Sequence, residues 1–550
     1  MSNSLIKNTA ATKARKNTTP QTVKADEAQV KNNAGGFTFV VSDRDRLERF
    51  LILGTDGGTY YVSEKKITDQ NIAFLRNLLS QDERLVVDAA VDVSVNGRAY
   101  KNSPAIFAIA LALTEGKDKE YAREAFNKVV RTGTHLFEAV EYINNLGGWG
   151  RAKRKAVAGW YESKDADSQA YQTVKYRQRN GWTHKDVLRL SHAKPDPYVA
   201  NFALGKKVVS DDKPQVISGF EAAQSAGSEK EVISVLETYK NLPWEAIPTE
   251  FLKSDKVWKT LFYNNQLNGQ ALVRNIVRLS RLNAFNDMQF AADYAKRLTD
   301  EEMIKKTRLH PINYLNAVVV YEQGQIERQG NYGYYGGSRK KDWQTSSVII
   351  DALNEGFHSS FKSVEPAGKR TLEAIDVSGS MSSPAIGLDL SCAQVSAAIA
   401  MTIARTEPAH IIRGFTTGSG SRYNWRGTAE LTDLGISAKT SLSSAMSKVR
   451  KNNFGGTDCA MPMIWALENK VEVDTFVVVT DNETWAGSIH PHQALKKYRD
   501  QMGIDARLAV LGVASTEFTI ADPKDKGMMD FVGFDSNAPR VLADFSAGRL

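Results

Sequence analysis

The sequence predicts two structural classes in one chain: a long succession of α-helices, then an α/β domain built on a parallel sheet. Three observations carry this. Between residue 69 and about 361, apolar residues recur at i, i+3 and i+4 in one segment after another. Beyond Lys362, near-continuous apolar strands alternate with helical segments, as in a parallel sheet covered on both faces. The 550 residues also exceed what one hydrophobic core normally organises.

Composition narrows the class further. At 42% hydrophobic and 24% charged, the chain reads as soluble and globular. No apolar run has the length of a membrane span, so no membrane partner is expected. The start, MSNSLIKNTA, lacks the apolar core of a secretion signal. Two cysteines, Cys392 and Cys459, make no disulfide framework. Together these features predict a cytoplasmic protein.

Residues 1–35 are polar and aperiodic and are expected to be a disordered tail. The stretch DRLERFLILGTDGGTYYV then predicts a helix, a turn at Gly57-Gly58 and an extended TYYV. The turn lacks the GK[ST] ending of a phosphate-cradling loop. RLVVDAAVDVSV, SPAIFAIALAL, THLFEAVEYINNL and GQALVRNIVRLSRL typify the helices that follow. Their succession, without intervening strands, predicts stacked HEAT-like helix pairs, although no strict period is present. GNYGYYGGSRKKDW reads as a flexible insertion. The expected division is therefore tail 1–35, helical domain 36–363 and α/β domain 364–550.

In the α/β domain three loops follow strand ends: Asp376-Val377-Ser378-Gly379-Ser380, Gly455-Gly456-Thr457-Asp458 and Thr480-Asp481-Asn482-Glu483-Thr484. Ligands of such sheets gather at the carboxyl ends of the strands. Hydroxyls and carboxylates converging there form an all-oxygen site suited to a divalent cation, Mg²⁺ or Mn²⁺. No nucleophile paired with a base stands near these loops, so hydrolysis is not predicted. His490-Pro491-His492 is expected to be a solvated loop rather than a metal pair.

The basic charge concentrates in one segment. Residues 151–194 hold eleven Lys and Arg against four acids, a net +7 where the whole chain carries +8. Such a concentration is the footprint expected for a nucleic-acid backbone. YQTVKYRQR reads as a helix with Lys175 and Arg179 one turn apart. After Asn180-Gly181, Thr183 is expected to cap a second helix, HKDVLRLSH, whose first-turn N–H groups favour a phosphate. Trp182, Tyr176 and the two histidines offer faces for unstacked bases.

NGWTHKDVLRLSH closely resembles the signature of the Ro autoantigen family, the TROVE-domain RNA-binding proteins. THLFEAVEYI, GGWGRAKRKAVAGWY, VEPAGKRTLEAIDVSGSM, GGTDCAMPMIWA and FTIADPKDKGMMDFVGFD extend the resemblance over nearly the whole chain. It implies an α + α/β protein: a ring of HEAT-like repeats, then a Rossmann-like von Willebrand factor A domain. It implies a non-enzymatic role in RNA quality control or stabilisation, with Y RNA-like small RNAs on the outer surface. The central hole would take the single-stranded 3′ ends of misfolded RNAs, and an exoribonuclease would be reached through the RNA. Implied RNA contacts are Lys175, Arg177, Arg179, His184, Lys185, Arg189 and His192, then Arg151, Lys153, Arg154 and Lys155, with Arg274 lining the hole. The implied adhesion-type metal site would take Ser378, Ser380 and Thr457 as direct ligands, with Asp376 and Asp481 behind them or bridged through water. Its open position would receive an acidic protein ligand. The other reading is a scaffold for protein interactions that depends on the metal site.

Overall fold

The structure is a computed structural model that describes residues 18–56, 58–206, 210, 212–324, 342–361, 364–386, 388–417, 429–451 and 455–550. The chain divides into two compact units, Phe74–Ser360 and a second made of residues up to Ala73 with Phe361–Leu550. Gly57, most of the Gly/Tyr-rich insertion and the first half of the expected tail lie outside the described residues.

The first unit is helical, and its local sequence explains where helices start. Asp82, Asp118, Thr132, Asp165, Ser228, Ser254, Asp287 and Asp300 each cap a helix by accepting from a first-turn backbone N–H. The helix Ser103–Glu115 is buried nearly all round, which its run of Ala, Ile and Leu permits. Residues far apart in sequence meet in this unit. His310 Nε2 lies 3.1 Å from the Arg98 carbonyl, and the Arg308 side chain packs over Gly97, whose φ is +66°.

The second unit contains nine of the eleven described strands. These are β1 (Val30–Lys31), β2 (Phe37–Val40), β5 (Thr371–Asp376), β6 (His410–Thr417), β7 (Ala429–Asp433), β8 (Thr475–Thr480), β9 (Arg507–Gly512), β10 (Phe518–Thr519) and β11 (Met528–Val532). The remaining two, β3 (Gln178–Arg179) and β4 (Trp182–Thr183), form a hairpin in the helical unit. The main sheet has the order β11-β9-β8-β5-β6-β7. It is parallel except for β7, which runs antiparallel to β6. Leu372, Ala374, Phe476, Val478, Leu508 and Val510 face one core layer, completed by Met463, Leu495 and Tyr498.

The expectation of a disordered tail is corrected over residues 18–35. β1 pairs with β2, and β2 pairs with β10. Gln21, Gln29 and Asn32 are buried. The stretch lacks an apolar face because amide hydrogen bonds hold it. Gln21 Nε2 donates to Asp458 Oδ1 (2.8 Å) and to the Ile489 carbonyl (2.9 Å). Asn32 Nδ2 donates to the Thr484 carbonyl (2.8 Å). Gly36 packs so closely there that a Cβ would fall 2.0 Å from the Thr484 oxygen. The expected extended TYYV is also absent: Thr59 N–H donates to the Val62 carbonyl (2.8 Å), closing a turn.

The helix Asp43–Leu53 is anchored to the sheet by one buried cation. Arg49 donates to Asp530 (2.5 Å) and to the carbonyls of Thr516 (2.8 Å) and Phe518 (2.7 Å). Burial pushes the Asp530 carboxyl up, against the pull of Arg49. Removing one partner of such a pair leaves the other buried and uncompensated. Arg49→Met is expected to lower stability by about 3–5 kcal/mol. Chemical denaturation would show this as a lower midpoint, and an unchanged midpoint would refute the anchoring role.

Candidate functional site

The basic segment folds as helix, hairpin, helix. Ala166–Lys175 is helical and stops there. Asn180 (φ +51°) and Gly181 (φ +78°) take successive left-handed conformations, the requirement of the tight turns that match strand twist in two-residue hairpins. Gln178 pairs with Thr183, and Arg179 with Trp182. This corrects the expected shared helical face of Lys175 and Arg179, which lie on different elements. The hairpin wins because Asn-Gly meets the turn's need at little cost, while a helix running through 181 would carry a Gly penalty.

Thr183 caps the helix His184–Ser191 as expected, but in a reciprocal box. Its hydroxyl accepts from Asp186 N–H, and Asp186 accepts from Thr183 N–H (3.1 Å). The Asp186 N–H is thus taken within the chain, and a carboxylate at the helix start opposes the phosphate expected there. His184 is likewise corrected as a base contact. It is buried against Phe137 and Tyr161, its Nδ1 is 2.7 Å from the Tyr161 hydroxyl, and burial pushes its pKa down to about 4. Lys153 is buried too, because it shares its helix face with Ala156, Val157 and Trp160.

The remaining side chains of the expected set are presented outward to differing degrees. Arg177, Arg179, Arg189 and His192 are exposed, and Lys185 is partly so. Arg177 rests its guanidinium 5.1 Å over the Phe220 ring, and His192 ends its helix in a left-handed conformation. Lys175 is only partly exposed, with Nζ 3.3 Å from the Tyr171 hydroxyl. Arg151, Arg154 and Lys155 are exposed on the helix Arg151–Glu162, which packs against His184–Ser191. Arg274 is exposed at the end of Gln270–Arg274, a helix packed on Pro311–Gln323.

In the α/β unit the three expected loops converge at the carboxyl ends of β5 and β8. Thr457 Oγ1 donates to Ser378 Oγ (2.8 Å), and Ser378 Oγ is 3.2 Å from Ser380 Oγ. Thr480 Oγ1 donates to Asp376 Oδ2 (2.8 Å), and Ser378 N–H to Asp376 Oδ1 (2.9 Å). Ser380 hydrogen-bonds Asp481. All five expected ligands, Asp376, Ser378, Ser380, Thr457 and Asp481, are buried. Burial, then the charge of Asp481, pushes Asp376 up to about 7. The donor set therefore fits a hard divalent cation: hard oxygens only, with two carboxylates that have no ion-pair partner among the described residues. A cation held there would supply positive charge and a coordination position for a further oxygen ligand.

Sequence reasoning missed how the N-terminal arm frames these loops. Asn33 Nδ2 (2.7 Å) and Ala34 N–H (3.1 Å) donate to the Glu483 carboxylate, and Thr484 Oγ1 donates to Gln21 Oε1 (2.5 Å). Leu53, Gly54, Thr55 and Thr59 line a small cleft with Ser380 and Asp481. No local signal links a polar arm to loops more than 400 residues away. His490 corrects the expected solvated loop: it is buried, and its Nε2 lies 2.8 Å from the Val23 carbonyl.

Comparison with known proteins places this architecture. A TROVE domain model matches residues 30–231 and 239–332, and a Ro60 vWA domain model matches residues 370–546. The chain belongs to the Ro60 family. A relative named RNA-binding protein RO60 from Deinococcus radiodurans is 39% identical, over 96% of this chain and 98% of that protein. The protein of the same name from Caenorhabditis elegans is 31% identical, over 96% and 92%. The crystal structure of the Deinococcus radiodurans RO (RSR) protein superposes with a TM-score of 0.65 at 37% identity, covering 92% of this chain and all of that one. A Cβ at Gly379 would meet only the Gly455 carbonyl at 3.8 Å, an ordinary contact, so the metal loop would keep its form with Ala there.

The burial of His184 has a pH consequence. Its pKa falls from 6.5 to about 4 on folding, so the unfolded chain binds the proton first as pH drops. Stability from this group is complete above pH 6.5 and is lost toward pH 4, by up to about 3 kcal/mol. Wild type should therefore lose more unfolding free energy than His184→Gln between pH 7 and pH 5, as urea denaturation measures. Equal losses would assign the acid sensitivity to other groups such as His135.

Proposed function

We propose that this chain is a non-enzymatic RNA-binding protein of the cytoplasm. It holds Y RNA-like small RNAs and takes the single-stranded 3′ ends of misfolded RNAs in RNA quality control. The observation that supports this most is the array of Arg177, Arg179, Lys185 and Arg189 along the hairpin and the helix after it, with the exposed His192 at that helix's end. The outward residues Arg151, Arg154 and Lys155 stand on the helix packed behind it. Cations on pre-ordered backbone neutralise phosphates with little loss of conformational freedom. An exoribonuclease would join through the bound RNA. The relatives' printed names agree with RNA as the ligand.

Binding to a structured RNA should weaken steeply with salt. Reversing Arg177, Arg179 and Lys185 to Glu is expected to cut affinity at least a hundred-fold. The slope of log affinity against log salt should become shallower by about two to three, since each phosphate contact contributes about 0.7–0.9. Filter binding from 50 to 300 mM salt reads both; unchanged affinity would overturn this surface.

A second reading, a metal-dependent protein-interaction scaffold, is favoured by the cradle of five oxygen-bearing side chains alone. Under it Ser378, Ser380 and Thr457 hold Mg²⁺ or Mn²⁺ directly, Asp376 and Asp481 hold it through water, and an acidic protein ligand completes the shell. Mn²⁺ should raise the wild-type melting temperature, and Ser378→Ala should abolish that rise while leaving RNA affinity intact. A rise that survives the substitution would remove Ser378 from the site.

A further inference from the structure

Beside the hairpin lies an open cleft of about 620 Å³, lined by Glu141, Asn144, Asn180, Trp182, Asp186 and Arg189. We propose that this cleft receives a single unpaired nucleobase bearing an exocyclic amino group, stacked on Trp182 and read along its edge by Asn144 and Asn180. The inference deepens the RNA-binding reading and rests on it.

Trp182 is partly exposed, and its ring is fixed in place. Its Nε1 donates to Glu141 Oε2 (2.5 Å), while Asn145 Nδ2 donates to Glu141 Oε1 (3.1 Å). One carboxylate oxygen of Glu141 thus holds the indole while Asn145 holds the other, and a fixed aromatic face is what base stacking uses. The side-chain amides of Asn144 and Asn180 are exposed and have no hydrogen-bond partner among the described residues. Each presents a donor beside an acceptor, the pattern of a base edge. Asn144 comes from the helix Gly133–Asn145 and Asn180 from the hairpin turn, so two elements frame one cleft.

Charge selects among the bases. Glu141 and Asp186 make the cleft rich in acceptors, which suits the amino groups of adenine, cytosine and guanine. Uracil offers two carbonyls to the same wall and fits least. The nucleotide's phosphate has cations on the rim: Arg189 lines the cleft, and Arg179 pairs directly across the hairpin from Trp182. Backbone charge and base edge are therefore served by neighbouring but different side chains.

The test is fluorescence anisotropy of the full chain with labelled homo-oligomers of A, C and U of equal length. Wild type should bind A and C more tightly than U. Trp182→Ala should weaken the A oligomer roughly ten-fold and the U oligomer, whose base the acceptor-rich wall admits least, by clearly less, whereas Trp182→Phe should retain most of the A affinity. Asn144 is exposed, so Asn144→Ala should keep the melting temperature of wild type while narrowing the A-over-U preference. Equal weakening of all oligomers by Trp182→Ala, or an unaltered preference in Asn144→Ala, would overturn the cleft while leaving RNA binding itself standing. Absence of binding by wild type to any RNA, structured or single-stranded, would overturn the functional reading and the cleft with it.

Discussion

Polar groups that a parallel sheet collects at its carboxyl edge must find partners, and the α/β unit is built around that requirement. A buried hydrogen-bonding group left alone costs about 1–3 kcal/mol, and an unpaired charge costs more. Here Asp376, Thr457, Thr480, Asp481, Glu483 and Thr484 are all buried at that edge. They are answered partly by one another and partly by an arm from the other end of the sequence. Gln21, Asn32, Asn33 and the Ala34 N–H supply the donors that the loops cannot supply themselves. The fit for a divalent cation follows from the same constraint, since the arm's amides go to Asp458, Glu483 and Thr484, and no cationic side chain pairs with Asp376 or Asp481 among the described residues.

Much of this architecture is legible in the amino-acid sequence. Helical periodicity identifies the first class of fold, and the alternation of apolar strands with helices identifies the second. Asp-x-Ser-x-Ser with its two companion loops points to the same five side chains that the fold brings together. The arm is not legible, because periodicity reports apolar burial and the arm is held by amide hydrogen bonds. Its composition resembles that of disordered chains for the same reason. Strand β7 and the short β10 leave little periodic signal either, being five and two residues long.

The basic segment shows a different limit. Counting charge locates it, yet charge does not say which way a side chain faces. Lys153 and His184 sit among exposed cations in sequence but are buried, His184 against the rings of Phe137, Trp160 and Tyr161. Asn180-Gly181 is visible as a break, and its meaning as a hairpin turn lies in the two consecutive positive φ values that this dipeptide tolerates. Glu141 and Asn144 carry no signal of their own. They acquire a role only because the hairpin lays Trp182 beside the helix that bears them.

The pairing of Phe39 with Thr519 also sets an order of events during synthesis. At roughly 5–20 residues per second, β2 leaves the ribosome on the order of half a minute or more before its partner strand exists. The whole helical unit is translated in that interval and is free to fold first. Meanwhile residues 18–41 remain an unsatisfied polar segment with an unpaired strand edge, the state in which nascent chains are most open to chaperones and to pairing with a neighbour. Completion of the α/β unit is therefore a late, C-terminal event that retrieves the earliest part of the chain.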